Sequence, residues 1–400
     1  MYRRAVAFLA FSHFVNDFLN GVIGAILPLL AVHFKLNYMQ VGTLMMVANV
    51  SSSLIQPVFG YLSDKKGSAW VLPFGAMALG VGLVWLPYTS SFLWLLVAVT
   101  VSGMGSAAFH PDASRAVYFA AAHQRGLAQS IFQIGGNSGI AMSALSLWFL
   151  GRVGLPGTIW FMIPAVISTL LMSTLVRWFS TKLGEHRHQA KHRGVSDGPV
   201  SHFGLALLVF IVTVRSWVII GITTFVPLLV VRTYGVQPKN VWMYTFVFLL
   251  LGAVGTMVGG PLADRIGQRN LIRMSMLASI PFALALPFLS QIWLLPDLGV
   301  LGFFLLSTFA VTVVYGQEML PGNIAMVSGL LIGFAGGIGG IVIMLMGYLA
   351  DTYSLHTALV WIVATVPVAA VFTWKLPLDK IRLQKKRQAK SSSVAAGEAS

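Results

Sequence analysis

A short charged motif occurs twice in this chain, 200 residues apart, and each copy lies between two long apolar runs. The first copy is GYLSDKKG at 60–67, and the second is GPLADRIG at 260–267. A second pair of segments, PLLAV at 28–32 and PLLVV at 227–231, matches at an offset of 199. Two matches at nearly the same offset predict a duplicated chain made of two homologous halves.

The composition excludes a soluble globular protein. Hydrophobic residues make up 57% of the chain and charged residues 9%, whereas soluble domains carry about 25% charged residues. The net charge of +15 indicates membrane topology rather than nucleic-acid binding, because Lys and Arg collect on the cytoplasmic side of membrane proteins. There is no cysteine, which excludes disulfides and cysteine-ligated metals, and we predict neither a cofactor nor a metal site.

The apolar runs are long enough to cross a bilayer, which takes about 20 residues. We predict an all-α membrane protein of twelve transmembrane helices in two pseudo-symmetric six-helix bundles. The first run is too long for a signal peptide and is interpreted as an uncleaved helix. The twelve predicted spans lie near 5–32, 40–61, 70–88, 92–118, 125–150, 156–178, 203–231, 240–262, 271–289, 294–318, 324–350 and 356–376.

Four segments follow from this pattern. The predicted six-helix bundles are 1–178 and 203–378, joined by a polar cytoplasmic linker at 179–202 and followed by a basic, disordered tail at 379–400. Of the 26 Lys and Arg residues, 21 fall on the side of both termini, four on the other side, and Arg215 within a span. This bias predicts cytoplasmic termini.

The first predicted span carries a polar face formed by His13, Asn16, Asp17 and Asn20. At about 100° per residue, these side chains fall within an arc of roughly 100°. Such a face can simply form hydrogen bonds with neighbouring helices. A carboxylate within a span is harder to explain in that way, because ionisable groups in membranes are costly. Asp17 is therefore the first candidate for binding the coupling proton or the substrate.

Arg215 lies in the seventh span at the duplication partner of Asn16, with apolar residues on both sides. A guanidinium remains charged and needs a partner. Two alternatives follow: Arg215 forms a charge pair with Asp17, or it holds an anionic substrate through its planar set of donors.

The end of the fourth span and the fifth span hold further candidates. The fourth span ends with three titratable or charged residues within six positions, namely His110, Asp112 and Arg115. Either a salt-bridged latch or a direct role in proton transfer would explain them. Gln133 and Asn137 follow in the fifth span. Glu318 occupies the matching place at the end of the tenth span, where a role in the gate is expected.

The duplicated motif is predicted to act as a conformational latch. Its glycines permit tight packing and an abrupt turn, and its aspartates can accept hydrogen bonds from helix N-terminal N–H groups and from arginine. The latch residues are Gly60, Asp64, Lys65, Gly67, Gly260, Asp264, Arg265, Gly267 and Arg269.

The duplicated loop resembles the signature loop of the major facilitator superfamily. The runs NDFLNG at 16–21, HPDASR at 110–115, GLAQSIFQIGGN at 126–137 and EMLPG at 318–322 resemble the fosmidomycin-resistance branch of that superfamily. The resemblance implies a monomeric exporter of the bacterial inner membrane, driven by proton exchange, for a small phosphonate or drug-like compound. Its partners would be that substrate, protons and the lipid bilayer, without nucleic acid.

Two alternatives to an exporter remain open. One is a proton-coupled uptake symporter for a small anionic metabolite, favoured by Arg215 and by the absence of the Gly-Pro pair that drug antiporters carry late in the fifth span. The other is a membrane-embedded receptor or enzyme. The sequence has no metal-ligand spacing, nucleophile elbow or phosphate loop, and it has no soluble output domain, so we predict that it is not an enzyme.

Overall fold

The computed structural model describes residues 1–36, 38–143, 145–192, 201–236 and 242–379. Within these ranges the regular structure is helical. The helices of the first half of the chain are α1 (Arg3–Ala25), α2 (Leu27–His33), α3 (Tyr38–Asn49), α4 (Gln56–Lys66), α5 (Val71–Trp85), α6 (Phe92–Ala120), α7 (Arg125–Ser143), α8 (Leu145–Val153) and α9 (Met162–His192).

The second half repeats this succession of helices. Its helices are α10 (His202–Tyr234), α11 (Trp242–Ile266), α12 (Gln268–Ala285), α13 (Gln291–Ser307), α14 (Phe309–Met319), α15 (Ile324–Ser328), α16 (Ala335–Thr352), α17 (Leu355–Val363) and α18 (Thr365–Phe372). The ends of α10 show how local sequence sets the boundaries. The Ser201 hydroxyl accepts a hydrogen bond from Gly204 N at 3.0 Å, and Gly235 ends the helix with φ +65°, which glycine adopts readily.

Nine helices within the described ranges are long and apolar enough to cross a membrane, which makes the chain a multi-pass membrane protein. The other predicted spans, near 40–61, 125–150 and 324–350, are helical but interrupted. π-helical turns at Val50–Leu54 and Gly329–Phe334 divide two of them, and the third is described as α7 and α8. The helical architecture is confirmed, while the number of twelve spans stays a prediction.

The chain forms two compact units. The described residues of Met1–Val195 and Gly322–Ile341 make the first unit, and those of Ser196–Pro321 and Val342–Ser400 make the second. The predicted linker at 179–202 begins as a continuation of α9, which ends at His192. The remainder of the linker at 193–200 and the tail beyond Asp379 lie outside the described residues.

Close packing of α7 on α1 positions the polar face of α1. A Cβ on Gly135 or Gly139 would collide with the α1 backbone at Ala10 or Phe14, so only glycine allows this approach. Along α1, one apolar cluster includes Ala5 and Leu9, and another includes Val15 and Leu19. The buried polar residues Ser12, His13 and Asn16 lie at the junction of the two clusters.

Candidate functional site

Asp17 contacts two histidines in the first unit. Its Oδ1 lies 2.9 Å from His110 Nε2, and its Oδ2 lies 3.3 Å from His13 Nε2. His13 and Asp17 are one turn apart on α1, whereas His110 comes from α6. The exposed fraction of each side chain is 13% or less. We refer to His13, Asp17 and His110 as the triad.

The outer nitrogen of each imidazole is held by a backbone carbonyl. His13 Nδ1 is 2.8 Å from Phe132 O, and His110 Nδ1 is 2.9 Å from Ser106 O. A carbonyl oxygen can only accept a hydrogen bond, so both Nδ1 atoms carry hydrogen. In a neutral ring the Nε2 atom is then a bare acceptor. In that tautomer both Nε2 lone pairs face the Asp17 carboxylate.

This geometry fixes how many protons the triad needs. Each N···O contact to Asp17 requires one hydrogen, carried either by an imidazolium Nε2 or by a protonated carboxyl. With neutral rings and an ionised Asp17, neither contact is a hydrogen bond. The observed arrangement is therefore satisfied by two added protons, and it becomes repulsive when both are lost. The triad can act chemically as a proton-binding centre.

Ser106 joins the triad to the rest of the polar face. Its hydroxyl donates to Asn16 Oδ1 at 2.8 Å, and its carbonyl holds His110. Asn16 thus fixes α1 against α6 at the level of the triad. The buried Asn16 Nδ2 has no hydrogen-bond partner among the described residues, which leaves it available to a ligand. Asn20, one turn further along α1, is half-buried.

Helix α7 forms the third wall around the triad. The Phe132 ring stacks on His13 with centroids 3.9 Å apart, and Gly136 lies directly against the His13–Asp17 pair. Gln133 and Asn137 are placed on this helix as the sequence predicts. Gln133 Oε1 and Asn137 Nδ2 are buried and have no hydrogen-bond partner within the described ranges.

Replacing Gly136 with alanine should damage this wall. The new Cβ would lie 2.6 Å from Asp17 Oδ2 and 2.5 Å from His13 Cε1, closer than nonbonded atoms approach. Overpacking of this kind typically destabilises by about 1–3 kcal/mol. Gly151→Ala is the matched control, because nothing lies within 4 Å of its added Cβ. Thermal unfolding in detergent should show a lower midpoint for Gly136→Ala alone, and equal midpoints would contradict the packing described here.

The triad is also spaced in a way that could hold a divalent metal. One ligand atom from each residue lies within 4.8 Å of the others. Histidines that bind metals usually donate their second ring N–H to a carbonyl or carboxylate, as both do here. The sequence predicts no metal site, and that prediction remains to be tested with a chelator.

A second polar cluster surrounds the first copy of the duplicated motif. Arg115 Nη1 donates to Asp64 Oδ1 at 3.0 Å, and Arg115 Nη2 pairs with Asp112 Oδ1. Ser63 connects these groups, since its hydroxyl donates to Asp112 Oδ1 at 2.7 Å and accepts from Arg115 Nη2 at 2.7 Å. Gly67 leaves space for this guanidinium, because a Cβ there would lie 2.7 Å from Arg115 Nη2.

Asp64 also caps a short helix of the same unit. Its carboxylate accepts from Ala325 N at 3.1 Å and from Met326 N at 2.9 Å, in the first turn of α15. Gly60 permits this contact, because a Cβ there would collide with the backbone at Ala325 and Met326. Asp64 thus has both kinds of partner that the sequence suggests, a helix N-terminus and an arginine. Lys65 points elsewhere, over the Tyr61 ring at 4.4 Å.

Asp379 lies against the end of the second copy of the motif. Asp379 accepts from Arg269 N at 3.1 Å, and the Arg269 side chain donates to Trp374 O at 2.8 Å. Gly267, with φ +93°, places its backbone against Asp379. Gly260 is buried, Asp264 is half-buried and Arg265 is exposed. Asp379 therefore contacts the end of the second copy of the motif.

Arg215 is buried within the second unit and has hydroxyl partners. Its Nη1 donates to Thr308 Oγ1 at 2.9 Å and its Nη2 to Thr312 Oγ1 at 3.5 Å, while the guanidinium lies 5.0 Å from the centroid of the Phe309 ring. Nε has no partner, and no described carboxylate forms an ion pair with Arg215. A buried guanidinium held by neutral groups is suited to bind an anion.

The structure divides the predicted candidates into separate groups. His110 joins Asp17, whereas Asp112 and Arg115 join the motif at Asp64. Asp17 and Arg215 find their partners within their own units, so the predicted charge pair between them stays a prediction. Glu318 Oε2 is 3.5 Å from Gln268 Nε2 in the second unit.

The sequence analysis did not identify one buried carboxyl group as a candidate. Asp297 lies in α13 and is only 7% exposed. The signal was present, since Asp297 interrupts the apolar run of the tenth predicted span.

Comparison with known proteins identifies the family. The model of the Major Facilitator Superfamily matches residues 9–344, and the chain belongs to this superfamily of membrane transporters. It is 37% identical to the uncharacterized MFS-type transporter YfnC of Bacillus subtilis, over 93% of this chain and 92% of the relative. It is 35% identical to the fosmidomycin resistance protein of Escherichia coli, over 92% and 91%.

Solved structures agree on the fold. The fucose:proton symporter FucP of Escherichia coli superimposes with a TM-score of 0.71, covering 94% of this chain and 98% of that chain at 14% identity. The matches to the superfamily model and to the fosmidomycin resistance protein confirm the resemblance predicted from the sequence. The family and the fold are those of transporters, not of enzymes.

Proposed function

We propose that the chain exports a small phosphonate or drug-like compound across the bacterial inner membrane in exchange for protons, by alternating access. The observation that carries this proposal is the triad, in which two imidazoles with fixed Nδ1 hydrogens face one carboxylate. Such a centre changes its internal contacts with each proton gained or lost. The name of the fosmidomycin resistance protein supports the substrate class and the direction.

Protonation provides the conformational signal in this proposal. When protonated, the triad binds α1 to α6 through Asp17 and His110. When deprotonated, the lone pairs of the rings repel the carboxylate, and the contact between α1 and α6 weakens. A group that holds helices together only while protonated couples proton binding to helix movement. Binding of the anionic group of the substrate is assigned to the buried Arg215 of the second unit.

Inside-out vesicles test the direction of transport. In such vesicles the lumen corresponds to the outside of the cell, so an acidic lumen should drive accumulation of fosmidomycin by an exporter. The second candidate function is proton-coupled uptake of a small anion, which the buried Arg215 without a carboxylate partner favours. An uptake symporter would instead accumulate its substrate in right-side-out vesicles placed in acidic medium. For either direction of transport, we expect a monomeric transporter whose two termini lie on the cytoplasmic side of the membrane.

Asp64→Asn should shift the balance between inward-facing and outward-facing states. The change removes charge from a group that accepts from Arg115, Ala325 and Met326 while it keeps the size of the side chain. Charge-assisted hydrogen bonds contribute about 1.5–3 kcal/mol each, so a shift of roughly tenfold or more is expected. Asp264→Asn tests the second copy of the motif in parallel.

Accessibility labelling measures this shift. The natural chain contains no cysteine, so a single introduced cysteine near either helix end reports without background. Substrate affinity should change little in both variants, because the motif holds helices rather than substrate. Unchanged labelling in Asp64→Asn would remove the latch role from the first copy.

A further inference from the structure

Asp297 is a buried carboxyl group that the proposed mechanism does not use. It lies near the start of α13 in the second unit, where its neighbours Leu294 and Leu298 are fully buried. Both leucines belong to the large apolar core of that unit. The carboxyl group therefore lies beside an apolar core.

No described residue forms a hydrogen bond or an ion pair with the Asp297 side chain, and its Oδ2 is shielded from solvent without a partner. Arg215 of α10, a buried cation of the same unit, is bound to Thr308 and Thr312. Thr308 is eleven residues further along the chain, or roughly 16 Å at the helical rise per residue. Arg215 does not compensate Asp297.

The helices packed against α13 offer little charge at this level. Helix α11 runs alongside α13 with Val247 and Leu251 against Gly299, and the titratable residue of α11 nearest to the level of Asp297 is Tyr244. On α10 the nearest titratable groups are Arg232 and Tyr234, and the Tyr234 hydroxyl donates to Leu289 O at 2.5 Å. The end of α12 and the turn Leu286–Phe288 carry no ionisable side chain. Glu318 lies at the far end of α14.

An ionised carboxylate in such surroundings is strongly disfavoured. The effective penalty for burying an unpaired ion in a protein is several kcal/mol, whereas a neutral carboxylic acid loses much less on leaving water. Burial beside the apolar core therefore favours the protonated form of Asp297 over the ionised form. Pro296, immediately before it, has no N–H and removes one backbone hydrogen bond from this turn, which makes the turn easier to open to water.

We propose that Asp297 is a second proton-binding site, located in the second unit and independent of the triad. It holds a proton in the conformation described here and releases it when this turn of α13 is hydrated. The proposal rests on burial and on the absence of partners, not on the proposed transport function. Its tests are made without substrate, so their failure would leave the exporter proposal intact.

Infrared spectroscopy of the purified protein in lipid detects the proposed proton directly. A protonated carboxylic acid has a C=O stretching band that is separate from carboxylate and amide bands. We expect such a band in the wild-type protein at neutral pH, its loss in Asp297→Asn and its persistence in Asp17→Asn. Absence of the band in wild type, or an unchanged band in Asp297→Asn, would overturn the assignment.

The pH dependence of stability provides a second readout. If the folded state keeps a proton that the unfolded chain releases, the folded state binds more protons, and unfolding becomes easier as the pH rises. Between about pH 5 and 8 the wild-type unfolding midpoint in detergent should therefore fall more steeply than that of Asp297→Asn. Equal slopes would contradict the proposal. Failure of Asp297→Asn to fold would contradict it too, because asparagine matches a protonated aspartate in size and charge.

Discussion

Replacing Asp17 with asparagine should leave the transporter folded and reduce proton-driven transport to the level of protein-free liposomes. Asparagine keeps the size of the side chain, and its amide can donate to one neutral Nε2 without any added proton. The contacts of residue 17 would then no longer change with a proton gained or lost by a carboxylate. Uptake of substrate into proteoliposomes under an imposed pH gradient measures this loss.

Substrate exchange at equal pH separates loss of coupling from loss of folding. Exchange needs only substrate binding and helix movement, with no net proton transfer, so Asp17→Asn should retain it. The neighbouring Asn20→Ala provides a matched control on the same face of α1, because it changes a half-buried amide without touching a proton-binding group. Gradient-driven transport at the wild-type rate in Asp17→Asn would exclude Asp17 from the mechanism.

Replacing Arg215 with alanine should abolish binding of a phosphonate substrate, and replacing it with lysine should weaken binding about 10- to 100-fold. Lysine keeps the charge but loses the planar pair of donors, and a hydrogen bond to a charged group contributes about 1.5–3 kcal/mol. Equilibrium binding measured at one pH gives both affinities.

A double variant distinguishes anion binding from a role in serving Asp17. If Arg215 binds the substrate, then Asp17→Asn with Arg215→Ala should bind much more weakly than Asp17→Asn alone. Thr308→Val is a useful control, because it removes one hydroxyl partner of Arg215 at nearly constant size and leaves the guanidinium in place. Equal affinities with and without Arg215 would rule out the anion site.

The polar face of α1 could be predicted because helical spacing alone places His13 and Asp17 one turn apart. The third member of the triad could not be predicted in the same way. His110, Asp112 and Arg115 are close in sequence, but His110 and Asp112 differ by about 200° around the helix and point to different neighbours. Which neighbour each meets depends on how α6 packs against α1 and α4, and that is a property of the whole unit.

Several glycines determine which helices pack against each other. Gly135 and Gly139 bring α7 onto α1, and Gly60 brings α4 onto α15. The sequence shows that these residues are small but not which helix approaches them. The contact of Asp64 with α15 therefore joins residues 261 positions apart. The kinds of partner of Asp64 could be predicted, but not their identity.

The duplicated motif shows the limit of inference from a repeat. The two copies share four of eight residues. The first copy contacts Arg115 and α15, and Asp379 contacts the end of the second. The repeat predicts the architecture of the helices, which depends on hydropathy and loop geometry. It does not predict individual contacts, because these depend on residues outside the motif, such as Arg115 and Asp379.

Proton movement driven by a substrate gradient tests the central claim most directly. Proteoliposomes loaded with fosmidomycin, with a pH indicator inside, a chelator present and no initial pH difference, are diluted into medium without substrate. The wild-type protein should let substrate leave while protons enter, so the lumen becomes more acidic, and Asp17→Asn should give no pH change. A lumen that becomes more alkaline, or acidification that persists in Asp17→Asn, would contradict proton exchange through the triad.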